Sequence, residues 1–264
     1  MTDFLTRIAT HKRAEVAQRE AARPLAALEA ALAAAPVPRD FYGALRGPGL
    51  RLIAEIKRVS PAKGALNQHL RPAELAQTYA RAGAHALSVL TDERFFHGSD
   101  ADLVEARAAV ELPVLRKDFV VSAYQLYEAR ALGADAVLLI AGLLTPRELR
   151  EFRQLAEQLG MAALVEVHRP EEAAVALAAG ATLIGINNRD LTTFAVDLQT
   201  TRRVRPLLPP TVMVVSESGI ASAEDVRAVV AAGATAILVG EALVTAADPA
   251  ARIQELLGAV VWSG

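Results

Sequence analysis

A (β/α)8 barrel with an N-terminal helical extension is the fold this sequence predicts, and three observations predict it. First, four segments, RAGAHALSVL, ALGADAVLLI, AAGATLIGI and AAGATAILVG, each join a small-residue Gly-Ala turn to an apolar run. Second, their turn glycines, Gly83, Gly133, Gly180 and Gly233, recur at spacings of 50, 47 and 53 residues. Third, four more apolar runs fall between them, at Arg51 to Ile56, Leu112 to Leu115, Ala162 to Val167 and Val212 to Val215. A fourfold repeat of strand-helix-strand-helix is the signature of such a barrel.

Taken in order, residues 1–48 differ from the rest of the chain. Phe4, Leu5, Ile8, Val16, Leu25, Leu28 and Leu32 recur at near-helical intervals among charges, until the prolines of APVPRDFYGAL stop the pattern. This predicts two helices packed on a barrel of residues 49–264, the whole chain forming a single domain. The apolar runs read as strands buried on both faces, and the turn glycines as left-handed helix ends. AYQLYEARAL and PRELREFRQLAEQLG are typical of the helical patterns between them. A doubly wound open sheet is the competing architecture, but it needs a Gly-rich fingerprint after its first strand, and KRVSPAKG is not one.

Composition narrows the function. The net charge is −2 with 53% hydrophobic residues, which gives no footprint for nucleic acid or an acidic membrane, so a small-molecule partner is expected. There is no cysteine, hence no thiolate chemistry. The N-terminus mixes charge with apolar residues and lacks a signal-like run, and no later stretch reaches the roughly 20 apolar residues of a span. A cytoplasmic protein is expected, with no room in its length for a second fused activity. Of 28 basic residues only Lys12, Lys57, Lys63 and Lys117 are lysine. In so arginine-biased a chain, a lysine points to places where a compact or titratable ammonium is needed.

Barrel enzymes carry their sites at the C-terminal ends of the strands. Here the first run ends in Glu55 and Lys57, the third in Lys117 and Asp118, the fifth in Glu166 and His168, the sixth in Asn187, Asn188 and Arg189, and the seventh in Glu217 and Ser218. Alternation along a strand puts Glu55 with Lys57, and Asn187 with Arg189, on one face. Any one of these charges could belong to a structural ring of ion pairs. So many converging on one mouth favours acid-base chemistry, with His168 read as the more structural member. After the last two strands, SESGIASAEDV and LVGEAL place Ser218, Gly219 and Gly240 where backbone amides can approach a phosphate. Ser60 either reaches that anion from the other side or merely forms a Ser-Pro turn. The five histidines have no metal-ligand spacing, and neither a metal nor another cofactor is expected.

The segments IAEIKRVSPAKG, SVLTDERFFHGS, LPVLRKDFV, LVEVH, IGINNRDL, SESGI and ILVGEALV, in this order, resemble the indole-3-glycerol phosphate synthase family of tryptophan biosynthesis. The resemblance runs from about Phe41 to Leu243, and the helical extension is similar to that family's. It implies ring closure of 1-(2-carboxyphenylamino)-1-deoxyribulose 5-phosphate with loss of CO2 and water, by acid-base catalysis without a cofactor. Carried over by position, Lys117 is the general acid and Glu166 the base. Lys57 contacts the substrate's carboxylate or phosphate, and a proton-donating role in the dehydration stays open for it. Glu55, Asn187, Arg189 and Glu217 hold hydroxyls and orient the lysines. Ser60, Ser218, Gly219, Gly240 and Glu241 form the phosphate end, and Phe96 and Phe119 the wall for the aryl ring. Glu241 stands where some relatives have serine, so only its amide carries over. Other phosphosugar barrels, such as phosphoribosylanthranilate isomerase, and an inactive barrel kept as a pathway binding partner are the alternatives. The chain is expected to be a monomer or weak homodimer, open to association with other enzymes of the tryptophan pathway.

Overall fold

The structure, a computed structural model, describes residues 4–260. Residues 1–3 and 261–264, which fall inside the predicted boundaries, and the side chain of Phe4 lie outside the described residues. Among the described residues, eight parallel strands close a barrel. They are β1 (Arg51–Ile56), β2 (Ala86–Leu90), β3 (Val114–Lys117), β4 (Ala136–Ile140), β5 (Ala162–Val167), β6 (Leu183–Asn187), β7 (Met213–Glu217) and β8 (Ala236–Val239). β1 pairs with both β2 and β8, which closes the ring. Two strands start later than the apolar runs suggest. β3 begins after Pro113, which has no amide to give a ladder, and so extends to Lys117 itself. β7 likewise extends from Met213 to Glu217.

The repeated glycines do what the spacing predicts. Gly83, Gly133, Gly180 and Gly233 follow helix ends with φ of 99, 88, 83 and 96°, a region that side chains with a Cβ rarely occupy. Each then leads into β2, β4, β6 or β8 through two residues, an alanine followed by His85, Asp135, Thr182 or Thr235, so the turn fixes where the next strand enters the sheet.

Alternation sorts the strand residues into two cores. Outward residues such as Leu52, Ala54, Leu87, Val165, Ile184 and Ile237 pack under the helices. Inward residues such as Ile53, Leu115, Leu138, Leu164, Val215 and Leu238 fill the barrel. The inward layer nearest the C-terminal ends then turns polar, because Ile53 is followed two residues on by Glu55, Leu115 by Lys117, Leu164 by Glu166 and Val215 by Glu217. The same two-residue step that packs the barrel therefore delivers the charges to one level.

The extension contains α1 (Phe4–Ala22) and α2 (Leu25–Ala31), followed by a 3-10 turn at Leu32–Ala34 and a short helix at Phe41–Ala44. Pro24 separates α1 from α2. Ile8, Phe41 and Leu45 join the cluster that fills the barrel. One polar side chain goes with them: Lys12 is 1% exposed and ion-paired to Asp92 and Asp118, both at 2.9 Å. Arg19, one turn past Val16 on the same helix, meets Asp100 and Glu128 at 2.8 and 3.0 Å. The extension is thus joined to the barrel by buried charge as well as apolar contact. A two-residue hairpin, Val59–Ser60 with Gly64–Ala65, stands in the loop after β1 and was not foreseen.

Candidate active site

The fourteen residues given a catalytic, phosphate or aryl role from the sequence all line one cavity of about 1040 Å³ at the C-terminal end of the barrel, whereas the strand-end residues His168 and Asn188 do not. Backbone register sets their depth: Glu55 lies beside Ser88, and Asn187 beside Glu217.

At the centre is Lys117, whose Nζ donates to Glu166 Oε2 at 2.9 Å and to Glu217 Oε2 at 3.1 Å. Its side chain is only 13% exposed. Burial opposes its charge, but Glu166 and Glu217 outweigh burial and hold the ammonium well above the usual lysine range. The two carboxylates diverge. Burial disfavours the Glu166 anion, yet Lys117 and His168 beside it keep its carboxyl below the ordinary range. Glu217 is raised to about 8 by burial and by the charge of Glu166, against the pull of Lys117. Two acids pushed apart in this way are suited to opposite proton-transfer roles. Glu217 Oε1 is buried and has no hydrogen-bond partner among the described residues. It occupies the space left by Gly185 on β6, where a Cβ would lie 1.9 Å from it.

Glu55 and Lys57 form an ion pair at 2.8 Å. Glu55 also accepts from Ser88 Oγ at 3.3 Å and packs against Gly240, where a Cβ would come within 2.4 Å of Oε1. Gly240 therefore makes room for a carboxylate as well as exposing its amide. Asn187 Oδ1 accepts from the Arg189 amide at 3.0 Å, and Arg189 Nη1 donates to the Phe194 carbonyl at 3.1 Å.

At the other end of the cavity, Ser218 and Gly219 both adopt left-handed backbone, with φ of 66 and 80°. For Ser218 this costs roughly 1–3 kcal/mol, and the cost is met locally. Asn188 Nδ2 donates to the Ser216 hydroxyl and to the carbonyls of Glu217 and Ser218 at 3.0, 2.9 and 3.1 Å. Ser222 and Asp225 form a capping box at the start of the helix Ala223–Ala231 that comes next. The amides after β7 are in this way held open toward the cavity. Ser60 is 5% exposed in the hairpin after β1. Glu241 pairs with Lys63 from that same loop and lies 3.9 Å from Arg189 Nη2. Phe96 and Phe119 line one wall, their rings 6.0 Å apart and tilted by 37°.

Several participants have no assigned role in the sequence reading. Gly185 is one glycine in an apolar run, and its role shows only where Glu217, from the neighbouring strand β7, lies against it. Asn188 sits beside two chosen residues but points away from the cavity, into the Thr201 and Ser216 hydroxyls. Lys63 is 62% exposed in a loop, and only its meeting with Glu241 gives it a place. Among the described residues no group of three or more His, Asp or Glu is arranged to hold a metal ion.

The sequence profile of the indole-3-glycerol phosphate synthase family matches residues 5–256. A relative from Roseiflexus sp. with that name is 51% identical, covering 98% of this chain and 99% of its own. The Mycobacteroides abscessus protein of the same name is 51% identical over 94% of this chain and 91% of its own. Indole-3-glycerol phosphate synthase 2 of Streptomyces coelicolor is 50% identical over 98% and 100%. Among solved structures, thiamine phosphate pyrophosphorylase from Pyrococcus furiosus superposes with a TM-score of 0.61 at 20% identity, over 80% of this chain and 95% of that one. A 3-hexulose-6-phosphate synthase does so at 0.61 and 18% identity, over 80% and 100%. These two likenesses bear on the fold alone.

Proposed function

This chain belongs to the indole-3-glycerol phosphate synthase family, and from that premise we propose how its barrel mouth performs the reaction. The activity is a carboxy-lyase step of tryptophan biosynthesis: 1-(2-carboxyphenylamino)-1-deoxyribulose 5-phosphate gives indole-3-glycerol phosphate, CO2 and water. The phosphate lies at the end made by Ser60, Ser218, Gly219 and the amides of Gly240 and Glu241. The aryl ring rests against Phe96 and Phe119, which directs the sugar ketone between them and over Lys117.

Lys117 Nζ gives a proton to the ketone oxygen as the ring carbon bearing the carboxylate bonds to the carbonyl carbon. The bond to CO2 then breaks, and its electron pair restores the aromatic ring. The new hydroxyl takes a proton from a lysine ammonium and leaves as water, while Glu166 accepts a proton from the adjoining methylene carbon. Held between two carboxylates, the ammonium is protonated at working pH, and the alkoxide that would otherwise form at the ketone oxygen is basic enough to take its proton. Glu55 and Lys57, with Asn187 and Arg189, hold the substrate's carboxylate and hydroxyls, and Glu217 orients Lys117 through its Oε2.

The observation that carries this assignment is the placement of Lys117 between Glu166 and Glu217, within reach of both and inside the cavity. The test is single-turnover fluorescence of the indole product. Lys117→Ala and Glu166→Gln are expected to lose roughly 10²–10⁴-fold in rate with substrate binding largely kept. Lys117→Arg is expected to be almost as poor, because guanidinium does not release its proton at working pH. Rates near wild type in the first two variants would remove the roles. The same reading takes the protein as cytoplasmic and as a monomer or weak homodimer, open to association with other enzymes of its pathway.

A further inference from the structure

One buried titratable side chain at the barrel mouth has no part in the proton transfers assigned to Lys117 and Glu166. His168 comes directly after β5, and its side chain is 9% exposed. It does not line the substrate cavity, whereas Glu166 does. Its Nε2 lies 3.2 Å from Glu166 Oε1, the oxygen of that carboxylate turned away from Lys117. Its Nδ1 lies 3.5 Å from Glu172 Oε2, on the helix Pro170–Ala178. Glu172 is itself fixed: Oε2 accepts from the His168 amide at 2.7 Å and Oε1 from Arg169 Nε at 3.3 Å. Gly142, after β4, lets this carboxylate in, since a Cβ there would lie 3.0 Å from Oε1. The charged groups facing the imidazole are thus Glu166 on β5, Glu172 on the next helix and, beyond Glu172, Arg169. Nε2 is buried and has no hydrogen-bond partner among the described residues, so a small rotation of the ring converts its contact with Glu166 into a hydrogen bond.

We propose that His168, held by Glu172, is a positioning residue for Glu166: an imidazolium behind the carboxylate that keeps it an anion and aims its other oxygen at the reacting atoms. The need for it arises from the first proton transfer. Glu166 is buried beside a second acid, Glu217, and its charge is offset on the cavity side only by Lys117. Once Lys117 has given its proton to the ketone oxygen, that offset is gone, and a buried carboxylate would take up a proton from the nearest donor. A cation on the far side removes this tendency. It also keeps the Lys117 proton from passing to Glu166 in place of the substrate. His168 is equipped to be that cation: burial opposes its charge, but Glu166 and Glu172 outweigh it and raise the imidazole to about 9.

This inference rests on Glu166 being the base. The test is the single-turnover rate of His168→Gln, Glu172→Gln and His168→Lys between pH 5 and 9.5, with KM measured alongside. In His168→Gln the rate at pH 7 is expected to fall roughly 10–100-fold, the range known for hydrogen-bonded partners of metal-ligating side chains, with KM within about twofold. Its acid limb should move to higher pH, because Glu166 without the cation protonates more readily. Glu172→Gln should weaken the hold of His168 on its proton and bring the alkaline limb down. His168→Lys restores a cation and should return the acid limb toward wild type. A uniform fall in rate with both limbs unmoved, or no fall at all, overturns the proposal and leaves His168 a purely structural residue. If His168→Gln fails to fold, Glu172→Gln decides the matter through the alkaline limb. Glu166→Gln with near-wild-type turnover would instead remove the base assignment itself, an outcome separate from unmoved limbs in a series where Glu166→Gln is inactive.

Discussion

Lys12→Met tests how the extension is joined to the catalytic end of the barrel. Lys12 is 1% exposed and sits among Asp92, Asp118 and Glu15 at 2.9, 2.9 and 3.2 Å. Methionine keeps the length and apolar stem of the side chain but removes the charge. Removing one partner of a buried ionic group costs roughly 3–5 kcal/mol, mostly through the charge left behind. Asp118 keeps hydrogen bonds from Thr91 Oγ1 and the Phe119 amide at 2.6 and 2.7 Å, so it is partly protected. Asp92 keeps less: its Oδ1 accepts from the Phe95 amide at 2.6 Å, but its Oδ2 has only Lys12 as a counter-charge. The lower end, about 3 kcal/mol, is therefore expected, which for a chain of this length is a fall of roughly 6 °C in Tm. Thermal unfolding followed by circular dichroism measures it. Lys12→Met combined with Asp92→Asn should recover about half of the loss, since the stranded carboxylate is gone. The pH dependence has a definite sign. Burial raises Asp118, but Lys12 and Arg116 outweigh it and hold the carboxyl below its usual range. Lys12 is disfavoured by burial yet raised overall by Asp118 and Asp92. The stabilisation is thus complete between about pH 4 and 10, is lost as pH falls through the depressed Asp118 value, and is lost on the alkaline side only as pH rises through the raised Lys12 value. A Tm for Lys12→Met within about 1 °C of wild type at pH 7 would refute the reasoning.

Gly185→Ala places a methyl group where Glu217 Oε1 now lies, so it should displace that carboxylate from Lys117 and lower turnover at least tenfold, with the fold retained by circular dichroism. Lys57→Ala should weaken substrate binding and slow the single-turnover rate together. A change in apparent affinity alone would make Lys57 an anchor and not a proton donor. The folded protein holds the Glu217 proton up to about 8, whereas an unfolded chain releases it near 4.3. This group therefore favours the folded state below about pH 4.3, and that contribution is lost as pH rises to about 8. Glu217→Gln should accordingly gain stability relative to wild type between pH 5 and 9, read as a growing difference in Tm.

The barrel was legible because its turns and strands repeat in a form that needs no tertiary knowledge: a left-handed glycine, an alanine and one further residue, then an apolar run. The site was legible where polarity broke such a run, as at Glu55, Lys117, Glu166 and Glu217, because a charge at the inward end of a buried strand has nowhere else to point. The scarcity of lysine also carried information. All four lysines meet carboxylates, Lys12 in the core, Lys57 and Lys117 in the cavity and Lys63 at its rim. What the sequence concealed depends on partners far away in the chain. Lys12 reads as an ordinary helix charge until Asp92 and Asp118 close around it. The contribution of His168 depends on Glu172 as well as on Glu166, and Gly185 is meaningful only opposite Glu217. The hairpin after β1 is two residues a side, too short for periodicity to register.

The closed ring has a consequence for how activity first appears on the ribosome. Glu55 and Lys57 emerge early, yet the carboxylate of Glu55 packs on Gly240, at the end of the last strand, and β1 is completed only by pairing with β8. Every shorter chain holds the early charges of the site without their closing wall. A nascent or truncated chain ending before Gly240 is therefore expected to make no product, with activity arising in the final stretch of synthesis rather than growing with length.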